Sequence, residues 1–311
     1  MSLSPDAAAP LPAVAVPRIA LMSDAADWHA RSLTRAFAAA GARARMVKLS
    51  ACAIDTAAGG LDLPGFTGGL PDAVMVRTVP GGSFEAVTLR LGILHALDAL
   101  GVPVWNSARA IERCVDKSMT SFLLARAGIP TPPTWAVQSP QQAAAILRRE
   151  GAPLVLKPLF GSQGRGLRLI RGADDLPPPA ETAGVYYLQR YVGVERQGFH
   201  DFRVLVVRRR VVATMMRHAA HWITNVKRGG KPVSAVADGT MKDLAIAAAA
   251  AVGAEFAGVD IIHDAAGRAL VLEVNSMPAW SGLQRTTSID IAAVLAGEFV
   301  ATLARRAQSR A

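Results

Sequence analysis

Little in these 311 residues invites thiol or membrane chemistry. Cysteine occurs twice, as Cys52 and Cys114, with no disulfide or metal-ligand spacing, which fits a reducing, cytoplasmic setting. No apolar stretch approaches the roughly 20 residues of a membrane span, and the alanine-rich run Leu244–Val252 is short and sits among charges. The Ala-, Pro- and Ser-rich residues 1–16 lack a charged n-region, so they read as a flexible tail rather than a secretory signal. No Ser-His-Asp or Cys-His arrangement stands out. Lysine is scarce, at six positions, so each lysine in an apolar context asks for a reason.

What is present fits a buried globular chain: 51% hydrophobic and 19% charged residues, enough for two or three packed units. The net charge of +10 comes mainly from arginine. It admits a nucleic-acid partner, but the basic residues are dispersed. The longest run, Arg208-Arg209-Arg210, falls between two apolar segments and reads as a hairpin turn. A diffuse positive field equally attracts anionic small molecules.

From Arg18 the pattern alternates strand and helix. Strands are expected at 18–22, 42–49, 73–77 and 102–105, with helices at 28–39 and 84–100, which implies a parallel sheet with helices on its faces. A second unit opens near Ser107, with helices at 108–114, 117–127 and 140–150 and strands at 134–137, 154–158, 167–170 and 185–191. A third follows from about Val192. Its strands are expected at 201–207, 211–217, 258–263 and 269–274, a long loop runs through Lys231, and helices lie at 241–252 and 289–306.

Three signals carry chemistry. First, the apolar strand Leu154-Val155-Leu156 delivers Lys157, and Gly161-Ser162-Gln163-Gly164-Arg165-Gly166 follows. Glycines let backbone N–H groups converge on phosphate oxygens while the lysine neutralises them. A glycine-rich hairpin with a solvated lysine reads equally well. The pattern is neither a Walker A loop nor a dinucleotide fingerprint, since no Gly-Lys-Ser/Thr and no helix follow. Second, Glu273 and Asn275 share one face of a strand by period-two spacing, and a turn at Asp264–Arg268 folds Asp260 beside them. Hard oxygen ligands grouped this way suit Mg²⁺. The alternative is a carboxylate pair on an exposed hairpin face, though charges among such apolar neighbours need compensation. Third, Trp222–Lys231 is a basic, glycine-bearing loop able to close over phosphates; by itself it reads as ordinary surface.

In this order, the motifs resemble the ATP-grasp superfamily, and within it the RimK-like glutamate ligases. The resemblance rests on Val115-Asp116-Lys117, Gly128-Ile129-Pro130-Thr131-Pro132, Pro153 through Pro158, Gly161 through Gly166, and Leu188 through Val192. It continues with Asp201-Phe202-Arg203, Thr224-Asn225, Arg228-Gly229-Gly230, Ala257 through Asp260, Leu272 through Pro278, and Thr286 through Asp290. It covers roughly residues 70–306. It implies an α/β chain with the α+β ATP-grasp architecture: a Rossmann-like amino-terminal subdomain (17–106), then two α+β subdomains (107–191 and 192–311) that clasp ATP.

The resemblance also implies roles. Lys117, Lys157, Gly161, Ser162, Gly164 and Gly166 would contact phosphates, as would Thr224 and Asn225. Gln189, Arg190 and Tyr191 would form the hinge beside adenine, and Asp201 would lie near the nucleotide. Asp260, Glu273 and Asn275 would hold Mg²⁺ (or Mn²⁺). Arg203 and Arg217, with Asn275, would steady the transferred phosphoryl or the acyl phosphate. Arg77, Ser83, Arg228, Gly229 and Gly230 would meet the substrate. One departure is Arg190, where the family's hinge more often has glutamate. The implied reaction joins a carboxylate to an amine through an acyl phosphate with release of ADP, carried by positioning and charge neutralisation. The stretch Val76–Glu85 looks like that of ligases adding L-glutamate to tetrahydromethanopterin, so a small-molecule carboxylate acceptor is expected. Rival readings are glutamylation of a ribosomal protein tail, ligation to an amino-acid carrier protein, and an ATP-binding module without turnover. A homo-oligomer, dimer or tetramer, is expected, without membrane attachment and without nucleic acid.

Overall fold

The computed structural model describes residues 16–57, 60–161, 163–193 and 198–309. The expected tail, apart from Val16, and Ser162 lie outside the described residues.

Four strands, β1 (Arg18–Met22), β2 (Arg43–Val47), β5 (Ala73–Val76) and β6 (Val104–Trp105), form a parallel sheet in the order β2-β1-β5-β6. Between β2 and β5 lies a small hairpin, β3 (Ala53–Asp55) and β4 (Gly60–Asp62), that the sequence did not announce. Strands β1 and β5 are almost continuously apolar because helices cover both faces. Helix α1 (Trp28–Ala39) packs one face; α2 (Phe84–Ala99) and α3 (Ala108–Val115) pack the other. Asp27 fixes the start of α1 by accepting from the Ala30 amide at 2.8 Å.

Asp116 ends α3 and caps α4 (Lys117–Arg126), accepting from the Ser118 and Met119 amides, so Lys117 becomes the first residue of α4. The next sheet has the order β7-β10-β8-β9 and is antiparallel where its pairings are defined. Its members are β7 (Thr134–Val137), β8 (Leu154–Lys157), β9 (Arg168–Ile170) and β10 (Tyr186–Arg190). Helix α5 (Pro140–Glu150) covers one face and completes a small core of its own. Ser139 caps it, Pro140 fits its first turn, and Gly151 ends it in the left-handed conformation.

The third sheet has the order β13-β12-β11-β14-β15: β11 (Phe199–Val207), β12 (Arg210–Ala219), β13 (Lys231–Ser234), β14 (Phe256–His263) and β15 (Ala269–Asn275). The β11–β12 turn falls at Arg208 and Arg209, both at positive φ. Lys231 opens β13, which pairs with β12, rather than ending a loop. One face packs on α6 (Gly239–Val252), with Leu124 of α4. The other face is divided. Leu205, Val207, Ala213 and Met215 join α1 and α8 (Ile291–Gln308) in a core shared with the first sheet, whereas the half carrying Asp201 and Arg203 is polar. The short α7 (Ser281–Gln284) follows β15. Asn106, fully buried after β6, ties first and third sheets together. Its Nδ2 donates to the carbonyls of Phe256 and Ser276, and its Oδ1 accepts from the Glu255 and Phe256 amides. Among the described residues no helix is long and apolar enough to cross a membrane.

Candidate active site

Strand alternation supplies the first wall of a cleft between the second and third sheets. Leu154 and Leu156 enter the α5 core, so Val155 and Lys157 face the opposite way. Lys157 Nζ donates to Gln189 Oε1 at 2.7 Å, and Gln189 Nε2 donates to Thr134 Oγ1 at 3.3 Å. Lys117 reaches the same space from α4, donating from Nζ to the Gly161 carbonyl at 2.8 Å and to that of Leu159 at 3.3 Å. Burial pushes the ammonium pKa of both lysines down; the Glu273 carboxylate opposes this in each case.

The opposite wall is the polar half of the third sheet. Arg217 Nε donates to Asp201 Oδ1 at 2.7 Å, and Nη2 pairs with Asp201 Oδ2 and, at 2.9 Å, with Asp260 Oδ2. Arg203 grips Asp260 with two bonds of 2.7 Å. Burial would raise the Asp260 pKa, but Arg203 and Arg217 outweigh it and hold the carboxyl far below its usual range. Removing one member of such a buried network costs about 3–5 kcal/mol, because its partner is stranded.

Asp260 lies opposite Glu273 in the sheet register. There β15 carries an extra residue, since Asp260 pairs with Glu273 and Ile261 with Val271. This bulge lets Val271 and Val274 both enter the core while Leu272 and Glu273 both face the cleft. Glu273 accepts from Asn275 Nδ2 at 3.2 Å and, among the described residues, has no ion pair within 4 Å. Asn275 Nδ2 also reaches the Gly258 carbonyl at 3.4 Å, which leaves its own carbonyl oxygen to accept elsewhere.

Two loops close the cleft. Gly164 has φ +69°, and a Cβ there would come within 2.6 Å of Asn225 Oδ1, so the glycine loop and the 222–230 loop meet only because that position is bare. Arg228 Nη2 bonds the Gly164 carbonyl at 3.3 Å. A Cβ on Gly230 would overlap the Thr224 carbonyl oxygen. Apolar Val155, Leu167, Ile262 and Leu272 line the space near the hinge, where Tyr191 meets Trp222 edge-on at 6.1 Å. The amides of Arg190 and Tyr191 already bond the carbonyls of Pro133 and Pro153, and the Arg190 side chain turns out to Glu150. The cleft therefore offers an apolar slot for a planar group and a cationic end for phosphates.

A second, wider cleft, enclosing about 1770 Å³ with its open mouth, adjoins the first. The two share Lys117, Gly161, Gln163, Arg217, Asn225 and Glu273. Arg77, Arg203 and Asn275 line only the second. Cys114 also lines it, and burial pushes its thiol pKa up to about 12, which disfavours the thiolate.

The sequence candidates therefore gather at two joined clefts, with exceptions. Ser83 caps α2, its Oγ accepting from the Ala86 amide at 3.3 Å. Gly166, Arg228, Gly229 and Gly230 shape the loops and do not line either cleft. Sequence reading missed Gln163, Trp222, Ile262 and Leu272. Gln163 and Trp222 lay inside the glycine-loop and 222–231 segments without being singled out, Ile262 carried no signal, and period two from Glu273 turns Leu272 away from the cleft because the bulge is not visible in the sequence.

Comparison with known proteins agrees with this geometry. The RimK-like ATP-grasp domain matches residues 114–299. The tetrahydromethanopterin:alpha-L-glutamate ligase of Methanosarcina acetivorans is 36% identical over 245 residues, 68% of this chain and 74% of that protein. The ribosomal protein bS6–L-glutamate ligase of Salmonella paratyphi B is 35% identical over 224 residues, 67% of this chain and 74% of that protein. Among solved structures, the ATP-grasp ligase PsnB, complexed with minimal precursor, Mg and ADP, superposes with TM-score 0.70 at 21% identity. That match covers 92% of this chain and 98% of PsnB. The chain belongs to the RimK-like ATP-grasp family. It is an ATP-dependent ligase.

Proposed function

We propose that this ligase joins the amine of L-glutamate to the carboxylate of a small acceptor through an acyl phosphate, releasing ADP and phosphate. The observation that carries the reading is the shared wall of the two clefts. Glu273, Lys117 and Arg217 stand where a nucleotide in the first cleft would present its terminal phosphoryl to an acceptor in the second.

The chain's residues fit each step. An acceptor carboxylate oxygen attacks the γ-phosphorus, the bond to the β-phosphate oxygen breaks, and ADP leaves. The amine nitrogen then attacks the acyl carbon, the carbon–oxygen bond breaks, phosphate departs, and the nitrogen loses a proton. Lys157 and Lys117 neutralise the phosphates, while the 161–166 and 222–230 loops cover them and exclude water. Glu273 and the free carbonyl oxygen of Asn275 are oxygen donors of the hard kind that would hold Mg²⁺, and Asp260, opposite Glu273 in the register, would join them on giving up a bond to Arg203 or Arg217. Mg²⁺ bound there would supply charge neutralisation for the transferred phosphoryl. Asp201 and Arg217 brace one another and hold the network in register.

The preferred acceptor is a tetrahydromethanopterin-type pterin, supported by the likeness to the methanogen ligase. A ribosomal protein tail is the second reading, supported by the likeness to the bS6 ligase at nearly equal identity. We place the activity in the cytoplasm, in a homo-oligomer. The test is isotopic. Acceptor carboxylate labelled with ¹⁸O should pass label to inorganic phosphate, with ADP as the other product. Formation of AMP and pyrophosphate by every competent substrate pair would refute the acyl-phosphate route.

A further inference from the structure

The acceptor cleft contains a cation that no carboxylate pairs with among the described residues. Arg77 follows β5 directly and is 6% exposed. Its Nη1 donates to the Met277 carbonyl at 3.2 Å, its Nε is buried without an acceptor, and among the described residues it forms no ion pair within 4 Å. The other two site arginines differ. Arg203 and Arg217 are both neutralised by aspartates that grip them from neighbouring strands. The carboxylate closest in influence to Arg77 is Asp27, and it is already held by the Ala30 amide and by His29 Nδ1 at 3.1 Å. An isolated buried guanidinium is costly unless a ligand or partner completes it.

Its position in the sheet is the second observation. Asp27 and Arg77 stand beyond the carboxyl ends of β1 and β5, the adjacent strands from which the chain leaves to opposite sides of the sheet. In open parallel sheets that crevice is where ligands bind. Arg77 and Thr78 line the acceptor cleft from there. The guanidinium is also aligned. It lies 5.3 Å from the ring centroid of Trp280, whose backbone amide is fixed by His29 Nε2 at 3.1 Å, and whose own Nε1 is buried without an acceptor. A planar fork held against a ring matches a planar two-oxygen anion.

We propose that Arg77, backed by Trp280, is a carboxylate-binding subsite for a carboxylate other than the one that is activated. The reacting carboxylate has to meet the phosphoryl group at the wall the two clefts share, which Lys117, Arg217 and Glu273 line and Arg77 does not. A carboxylate tied to Arg77 would keep its charge and its oxygens away from the phosphorus. The substrate that occupies this subsite therefore carries a second carboxylate. Its source is either the acceptor or the incoming amino acid. The inference rests on the ligase reading for what the second cleft holds.

Titration calorimetry on the full chain, loaded with Mg²⁺ and a non-hydrolysable ATP analogue, separates the sources. L-glutamate stands for the amine substrate, and glutarate, which has no amine, for an acceptor ending in two carboxylates. Arg77→Gln should weaken one of them about ten- to a hundredfold, the range expected for losing a charge-assisted hydrogen bond. Glutarate affected alone assigns the subsite to the acceptor, and L-glutamate affected alone assigns it to the amino acid. Arg77→Lys, which keeps the charge without the fork, should fall between and gives the answer if the glutamine variant does not fold. Affinity for the ATP analogue should stay as in the wild type in both variants. Its loss in the wild type would instead undermine the ligase reading. The subsite is overturned if both variants bind both probes like the wild type, if the wild type binds neither, or if inorganic phosphate binds it more tightly than either dicarboxylate.

Discussion

Replacing Lys157 by methionine should separate nucleotide binding from stability. The side chain has one hydrogen bond within the protein, to Gln189 Oε1, and no ion pair among the described residues. Its folded-state contributions oppose each other. Losing the partly buried ammonium relieves a desolvation penalty, while Gln189, 2% exposed, loses its partner, at about 1–3 kcal/mol for a stranded buried group. The melting temperature should therefore fall by clearly less than the drop of about 12 °C that an unopposed loss of about 3 kcal/mol would give, since 1 kcal/mol shifts a large domain by about 2–4 °C. For the nucleotide nothing offsets the loss. A charge-assisted bond to phosphate contributes about 1.5–3 kcal/mol, so the ATP Kd should rise about ten- to a hundredfold. Lys231→Ala, at the head of the edge strand β13 and outside both clefts, should leave ATP binding unchanged. Adding Gln189→Leu to Lys157→Met should recover melting temperature without recovering affinity. Calorimetry and thermal denaturation on the same samples decide it. A Lys157→Met variant that binds ATP within threefold of the wild type would falsify the phosphate-cradle assignment.

Three further outcomes follow from the geometry. Glu273→Gln should abolish ADP formation while the melting temperature stays within a few degrees, as followed by a coupled ADP assay with thermal denaturation. Gly230→Ala, which drives a Cβ into the Thr224 carbonyl, should lower stability by about 1–3 kcal/mol and weaken ATP binding, whereas Gly239→Ala, facing open space in α6, should be neutral or stabilising. The third concerns pH. His29 Nε2 accepts from the amides of Trp280 and Ser281, which requires the neutral ring. Burial and the Arg77 charge lower its pKa below the ordinary 6.5. The unfolded chain then binds the proton first, so this contribution is intact above about pH 6.5 and is lost as pH falls toward the folded value. Wild-type melting temperature should drop between pH 7 and 5 more than that of His29→Gln; parallel curves would remove His29 from the account.

The sequence disclosed what depends on local rules. Helical patterning placed α1, α4 and α5 to within a residue, and apolar strands marked β1, β8 and β14, because each signal is written within a few residues. Lys157 was legible because strand and loop adjoin in the chain. What stayed hidden is set by distant partners. The pairing of Arg203 with Asp260 spans 57 positions, and the bonds from Asn106 to residues 255, 256 and 276 span about 150 or more. Leu272 was misdirected because a bulge depends on the neighbouring strand, not on composition. Edge strand β13 reads as loop because Lys231-Pro232 lacks apolar alternation, and its pairing with β12 supplies the order instead.

The core shared by the first and third sheets has a mechanical consequence. Phe37 and Trp105 both meet Phe299 of α8 edge-on, at 5.5 and 5.0 Å, and Asn106 fastens the same two sheets by four backbone bonds. The sheet carrying Lys157 has its own separate core. Opening for nucleotide exchange can thus move that sheet alone, as a lid on a fixed base. Arg77, Arg203 and Asn275 of the second cleft belong to the base, whereas Gly161 and Gln163, which also line it, follow β8 and would travel with the lid. A movement of that kind would carry Lys157 and the glycine loop away from Glu273 and Arg217, while Arg203, Arg217 and Asp260 stay paired within the base.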